Sequence, residues 1–153
     1  MIHYFSKLNI TEKIQFLSFL EKQLLINFKE LYQYYPNFSN WFEKVKKELI
    51  NNSGREIIYI LKNQELVCFA ILKKTNNERK ICTLIVKDNY RNQGFGLKLM
   101  KNSIDYLKND IILSVNQNCI NDFEKLLKIF NFKLINEKII ENSNEKEYWY
   151  KLL

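Results

Sequence analysis

Apolar positions along the chain change their period several times, and each change marks an element. Ile2 to Leu8 is apolar with one polar break and predicts a first strand. From Thr11 the spacing becomes helical: Ile14, Leu17, Leu20, Leu24, Phe28 and Leu31 recur every three or four residues behind Thr11 as N-cap. Pro36, the only proline, ends that helical region, because it has no N–H to donate and its ring blocks the preceding turn. A second helix follows, with Asn40 and Glu43 as a capping pair and Trp41, Val45 and Leu49 along one face. Asn51-Asn52-Ser53-Gly54 stops it.

From Arg55 the pattern is that of strands. Glu56 to Leu61, Leu66 to Leu72 and Arg79 to Val86 are short apolar runs separated by Asn63-Gln64 and Asn76-Asn77, which predicts a three-stranded antiparallel meander. Leu97, Met100, Ile104 and Leu107 then give a helix an apolar face, closed by Asn109-Asp110. Ile111 to Val115 is the next strand, parallel to its predecessor in a right-handed βαβ unit. A last helix, Asn121 to Phe130, turns Phe123, Leu126, Leu127 and Phe130 inward. Strands Lys133 to Ile140 and Glu147 to Leu153 follow, joined by a polar turn around Asn142 to Asn144. Tyr148-Trp149-Tyr150 alternates faces, which reads as sheet core and surface rather than as a stacking platform for bases. The expected fold class is α+β: a mixed, mostly antiparallel sheet of about six to seven strands with flanking helices. It reads as one domain over 1–153, without internal repeat or linker, and that length buries roughly 68–70% of the unfolded surface without disulfide or metal staples.

Composition sharpens the picture at one place. The chain has three glycines, and Gly94 and Gly96 sit together between the strand ending at Val86 and the helix that follows. A strand, a glycine loop and a helix N-terminus form an anion site, where free amides and aligned peptide dipoles attract negative charge. Tight packing at the turn is the structural alternative. A dinucleotide fingerprint would need a third glycine and a downstream acidic residue, and a phosphate-binding Walker loop would need Gly-Lys-Ser/Thr; neither is present. The net charge of +7 and a pI near 9.2 invite a nucleic-acid reading. The lysines, however, spread along every element as a solvated surface does, and steering of an anionic cofactor or RNA is the functional alternative. Cys68, Cys82 and Cys119 have no metal-ligand spacing and read as small core residues in a reducing cytoplasm; no metal is expected. No apolar run approaches a membrane span.

Arg91-Asn-Gln-Gly94-Phe-Gly96 after an apolar strand resembles the acetyl-CoA pyrophosphate loop of the GNAT superfamily of N-acetyltransferases. The order of predicted elements is similar to that fold over essentially the whole chain, with Phe130-Asn131-Phe132 where the family usually shows Gly-Phe, and it looks like a small bacterial member. The resemblance implies acetyl-CoA as co-substrate. The backbone of Leu84, Ile85 and Val86 would pair with the pantetheine arm, left free by a splay from the strand Ile111 to Val115. Amides of Arg91, Asn92, Gln93, Gly94, Phe95, Gly96 and Leu97 would hold the pyrophosphate, with Arg91 adding charge. The pantetheine asparagine of the family falls at Ile120, beside Asn121.

The resemblance implies direct attack of an amine on the thioester, so proximity supplies much of the acceleration. At neutral pH a lysine amine costs roughly 4 to 5 kcal/mol to deprotonate and an α-amine about 1. The chain departs from the family at the proton tasks. Leu127 stands where a tyrosine often protonates the sulfur, and Lys80 stands where histone-modifying members carry a glutamate base. Ser114 and Asn116 are the catalytic candidates, able to polarise the carbonyl or order a water, or simply to cap a strand end. Glu78 reads as solvated and His3, the only histidine, as surface. An acceptor amine of low intrinsic pKa fits the missing base: a small molecule, a peptide N-terminus or, for a toxin with an antitoxin partner, aminoacyl-tRNA. A non-catalytic acetyl-CoA sensor or interaction protein is the other class, and the resemblance allows a homodimer through the last strands.

Overall fold

A computed structural model describes residues 1–141 and 143–153. Strands β1 (Ile2–Tyr4), β2 (Arg55–Lys62), β3 (Glu65–Lys74), β4 (Arg79–Val86), β5 (Ile111–Asn116), β6 (Lys133–Ile139) and β7 (Lys146–Leu152) form one sheet in the order β1-β2-β3-β4-β5-β7-β6. Helices are α1 (Ile10–Asn27), α2 (Glu30–Tyr34), α3 (Phe38–Ile50), α4 (Phe95–Leu107) and α5 (Ile120–Ile129). β4 and β5 run parallel and the other neighbouring strands antiparallel, so the expected α+β class with a mostly antiparallel sheet holds.

Helices cover both faces. α1 and α3 bury Phe16, Leu20, Leu24, Phe42, Val45 and Leu49 against Ile57, Phe69 and Ile71. α4 and α5 bury Leu99, Met100, Leu107 and Leu127 against Ile58, Ala70, Leu84 and Leu113. This double coverage is why β2 and β3 read as unbroken apolar runs. At Asn63 (φ 53°) and Gln64 (φ 65°) two successive left-handed residues close the β2–β3 hairpin, the geometry whose twist matches the flanking strands.

Several local expectations are corrected. β1 stops at Tyr4, and a single 3-10 turn, Phe5–Lys7, follows. The buried Glu56 carboxylate accepts from the amides of Ser6 (3.0 Å) and Ile57 (3.0 Å), which fixes that turn against β2. α1 is capped by Asn9 rather than Thr11: Asn9 Oδ1 accepts from the Glu12 amide and Glu12 Oε1 from the Asn9 amide, both at 2.9 Å, a reciprocal capping box. Ile14 is 60% exposed, because the inward face runs through Phe16, Leu17, Leu20 and Leu24. The helical run breaks at Phe28, and α2 is separate. α3 begins at Phe38, so Asn40 lies inside it and caps nothing. Leu97 is exposed, and Leu99 takes its place in the core. His3 is half-buried, stacked on Tyr59 at 5.3 Å. The expected turn at Asn142 to Asn144 includes Asn142, which lies outside the described residues.

One irregularity positions everything that follows. β4 pairs with β3 as far as Val86, but Ile71 opposes Thr83 while Leu72 opposes Ile81, so Cys82 is an extra, bulged residue. Pairing of β4 with β5 ends at the same point, at Ile81 and Leu113. β5 meanwhile stays paired with β7 up to Asn116. Each strand is held on its outer side, and a wedge opens between them.

Candidate active site

Backbone alternation decides what the wedge offers. The Lys87 amide donates to Val67 O at 2.8 Å, so in the same register the backbone groups of Ile85 and Thr83 are turned to β3, and those of Leu84 and Val86 face the wedge. On the opposite wall the Gln117 amide donates to Lys146 O at 2.9 Å, which leaves the backbone of Ser114 and the amide of Asn116 facing inward. Of the three residues implied by the resemblance, Ile85 therefore has its backbone groups committed to Phe69, and Val86 O accepts from Arg91 Nε at 3.2 Å.

At the mouth stands the N-terminus of α4. Gly94 is its N-cap in the left-handed region (φ 88°), with no side-chain cap and no acidic residue in the first turn. The Lys98 amide is the first to bond back, to Gly94 O, so those of Phe95, Gly96 and Leu97 have no partner within the helix. A Cβ on Gly94 would meet nothing within 4 Å, whereas one on Gly96 would touch Leu126 Cδ1 at 3.4 Å and Val86 Cγ2 at 3.8 Å. Gly94 is thus favoured by its backbone angle, whereas a methyl group at Gly96 would make only ordinary contact with α5 and β4. The Arg91 guanidinium is engaged with three carboxylates: Asp88 at 3.2 Å, Glu30 at 3.3 Å and Asp122 at 3.6 Å. It clasps α2 and α5 across the mouth.

The wedge widens into a cleft of about 570 Å³, lined by Leu84, Ile85, Val86, Arg91, Asn92, Gly94, Gly96, Leu97, Ser114 and Asn121. Gln93 and Phe95 are not in its walls: Gln93 Nε2 donates to Asn89 O at 3.2 Å, and Phe95 packs edge-on against Tyr90. A second pocket of about 270 Å³ lies on the α3 face, between Tyr35, Phe38, Trp41, Lys80, Glu141 and Glu147. Tyr35, Cys82, Thr83 and Ser114 line both, so the two spaces meet at the bulge.

At that junction, Ser114 is half-buried between the two spaces. Asn116, by contrast, lines neither of them: Nδ2 donates to Tyr34 O (3.1 Å) and Glu145 Oε2 (2.9 Å), and Oδ1 accepts from the amide and side chain of Asn118. That amide is saturated and buried, and it anchors the end of β5 to α2 and to the segment just before β7. Sequence reasoning missed Tyr35, whose hydroxyl is pushed well above the usual tyrosine range by burial and by nearby negative groups, with the Asn116 amide opposing. Pro36 was the available signal, since it bars Tyr35 from helical geometry and turns it out of α2. Burial likewise raises the Cys82 thiol, partly offset by Arg55, whose Nη1 donates to Cys82 Sγ at 3.2 Å. The carboxylates of Glu141 and Glu147 carried no local signal, because only the pairing of β5 with β7 brings them to the pocket.

A seven-stranded mixed sheet opened between two parallel strands, with an uncapped helix N-terminus at the opening, is an acetyltransferase fold. The sequence profile of the acetyltransferase (GNAT) family matches residues 17–127, and the chain belongs to that family. Solved structures agree in fold. A Staphylococcus epidermidis protein assigned as an acetyltransferase superposes with a TM-score of 0.70 at 18% identity, over 99% of this chain and 96% of the other. The PaiA N-acetyltransferase of Thermoplasma acidophilum, in complex with coenzyme A, gives 0.66 at 18% identity over 99% of both chains. A Bacillus anthracis protein assigned as a streptothricin acetyltransferase, in complex with acetyl-CoA, gives 0.58 at 22% identity, over 67% of this chain and 64% of the other. The chain thus spans under two thirds of that last relative. No protein of curated function matches the sequence.

Proposed function

We propose that the protein is an acetyl-CoA-dependent N-acetyltransferase in which a primary amine attacks the thioester directly. The observation that carries this reading is the meeting of two pockets at the bulge, one open to the α4 N-terminus and one to the α3 face. The cleft suits the co-substrate. Leu84 and Ser114 present backbone donors and acceptors to an extended arm with amide groups, as an added strand would meet. The free amides of Gly96 and Leu97 suit a pyrophosphate, and Asn92 and Asn121 line the same cleft as neutral donors. Arg91 acts on the cofactor indirectly, by holding α2 and α5 at the mouth. The coenzyme A and acetyl-CoA complexes of the two relatives support this assignment.

The acceptor enters from the α3 face. Its nitrogen reaches the thioester carbonyl beside Cys82, Thr83 and Ser114, and the Ser114 hydroxyl is the candidate for orienting the carbonyl or a water. Juxtaposition of the two reactants supplies most of the rate. The test is release of free CoA thiol from acetyl-CoA with phenylethylamine, spermidine, an Ala-Ala-Ala peptide and aminoacyl-tRNA as acceptors, with mass spectrometry of the product. An acetylated amine supports the reading. Acetyl-CoA binding without transfer to any of the four would favour a sensor, and absence of acetyl-CoA binding would reject the assignment.

A further inference from the structure

The pocket on the α3 face carries a carboxylate placed for the proton task that the strand residues leave unfilled. Glu147 opposes Asn116 across β5 and β7, two residues from Trp149, which opposes Ser114. Opposed residues on paired strands share a face, so Ser114, Asn116, Glu147 and Trp149 all point to the α3 side. Glu147 is half-buried and lines the pocket with Tyr35, Trp41, Phe38 and Lys80. Its charge and that of Glu145 are felt at the Tyr35 hydroxyl, which itself borders the thioester cleft.

What distinguishes Glu147 is that its neighbouring cations are engaged elsewhere. Lys138, its cross-strand partner on β6, holds its ammonium 4.3 Å from the Trp149 ring centroid. Lys80 of β4 sits 4.4 Å from the same ring. Lys146 is paired with Glu137 at 3.8 Å. Glu145, two residues before it, accepts from Asn116 Nδ2 at 2.9 Å. Among the described residues Glu147 forms no ion pair, in a protein whose net charge is +7. The other titratable groups of its pocket are Tyr35 from the α2–α3 connection, Cys82 at the bulge of β4 and Glu141 from the β6–β7 connection.

We infer that Glu147 is the carboxylate that anchors the ammonium of the acceptor and takes the proton whose loss frees its nitrogen for attack. This rests on the acetyl-transfer reading above. The bound ammonium first gives one proton to Glu147, which passes it to solvent. The nitrogen lone pair then forms the C–N bond to the thioester carbonyl, and the second proton stays on nitrogen until the intermediate collapses. Collapse of the tetrahedral intermediate breaks the C–S bond, the electron pair leaves on sulfur, and the nitrogen's proton passes to the thiolate. The sum is an ammonium and acetyl-CoA converted to an acetamide, CoA thiol and one proton. Trp41 and Phe38 give the acceptor an apolar wall, so the favoured substrate is a small cationic amine with an apolar body.

The experiment compares wild type, Glu147→Gln, Glu147→Asp and Glu141→Gln with phenylethylamine and spermidine as cationic acceptors and hydroxylamine as a neutral one. For Glu147→Gln, kcat/KM at pH 7 with the cationic amines falls at least about 100-fold, as loss of a general base does. It then climbs with pH as free amine appears, while the rate with hydroxylamine changes less than about threefold, because that nucleophile needs no base. Glu147→Asp recovers part of the loss, and Glu141→Gln raises KM without altering the pH profile. Acetyl-CoA affinity by calorimetry stays within about twofold in Glu147→Gln, which certifies an intact fold and cofactor cleft. A Glu147→Gln variant with the wild-type pH profile on a cationic amine overturns this inference and leaves the acetyltransferase reading standing. Wild-type enzyme that acetylates the Ala-Ala-Ala peptide or aminoacyl-tRNA but none of these three probes overturns this inference alone, whereas absence of acetyl-CoA binding overturns both.

Discussion

Arg55 is the charge whose removal has the most calculable consequence. Its side chain is only 3% exposed, stacked under Trp41 at 5.5 Å, with Nη1 on the bulged Cys82 and Nη2 3.5 Å from Glu48 Oε1. Among the described residues its Nε has no hydrogen-bond partner. Two unit charges at that separation attract by about 5 kcal/mol at an effective dielectric of about 20. Desolvating the guanidinium cancels most of that gain, so the pair contributes little over an apolar replacement. Removing one partner is different, because the Glu48 side chain, 22% exposed, is left without its countercharge. We expect Arg55→Met to lower the unfolding free energy by about 3 kcal/mol, the low end for breaking a buried pair, because Glu48 keeps some water. The double variant Arg55→Met/Glu48→Gln should recover all but about 1 kcal/mol, the remainder being the lost stacking on Trp41. Urea denaturation followed by tryptophan fluorescence reads both numbers as shifts in midpoint at constant slope. A single variant that costs less than about 1 kcal/mol, or a double variant no more stable than the single, would refute the reasoning.

Four further outcomes follow. Gly94→Ala should cost about 1 to 2 kcal/mol in thermal unfolding, because the space is open but the left-handed angle disfavours any Cβ. Gly94→Glu should in addition weaken acetyl-CoA binding by about 100-fold in calorimetry, by placing a carboxylate at the α4 amides. In hydrogen exchange the Leu84 amide should exchange at least about 100-fold faster than that of Ile85, and acetyl-CoA should protect Leu84 but leave Ile85 unchanged; equal exchange would contradict the register. Burial pushes the thiols of Cys68 and Cys119 up to about 12 and about 11, above roughly 8.5 for an exposed thiol. The folded state keeps those protons longer than the unfolded one, so their stabilisation is complete below about pH 8.5 and is lost as pH rises through 11. Urea midpoints should decline from pH 9 to pH 11, less steeply in Cys119→Ala; a midpoint that rises over that interval would reverse the sign.

Elements set by local chemistry were legible in the sequence. β4 runs from Arg79 to Val86 as its apolar pattern indicates, and Asn63-Gln64 closes the β2–β3 hairpin, with Asn63 suited to the left-handed region. The phase of α1 was less clear. Ile10, Ile14, Leu25 and Ile26 are exposed alongside a buried face, so apolar residues surround the helix and period alone admits more than one inward side. The α4 end of the site was legible for the same reason as the hairpin: a left-handed glycine and free amides are local. The α3 end was not. Glu147 and Trp149 come to Ser114 only through the antiparallel register of β5 with β7, and Asn116 reads as a free polar residue until Tyr34, Asn118 and Glu145 are seen to surround it.

The wedge itself joins these two ends. Separating two central strands exposes backbone groups that a closed sheet would pair, and it is tolerated here because β4 remains bonded to β3, and β5 to β7, along their outer sides. The bulge at Cys82 sets where the separation starts, and the buried Asn116 amide sets where the far wall ends. Between those points the unpaired groups alternate with the two-residue period of a strand. An occupant that satisfies them must therefore be extended and carry donors and acceptors at strand spacing, with its anionic end at α4 and its reactive end at the bulge. In the proposed acetyl transfer the polarity of the co-substrate would be set by the backbone before any side chain contributes, leaving the side chains on the α3 face to specify the acceptor.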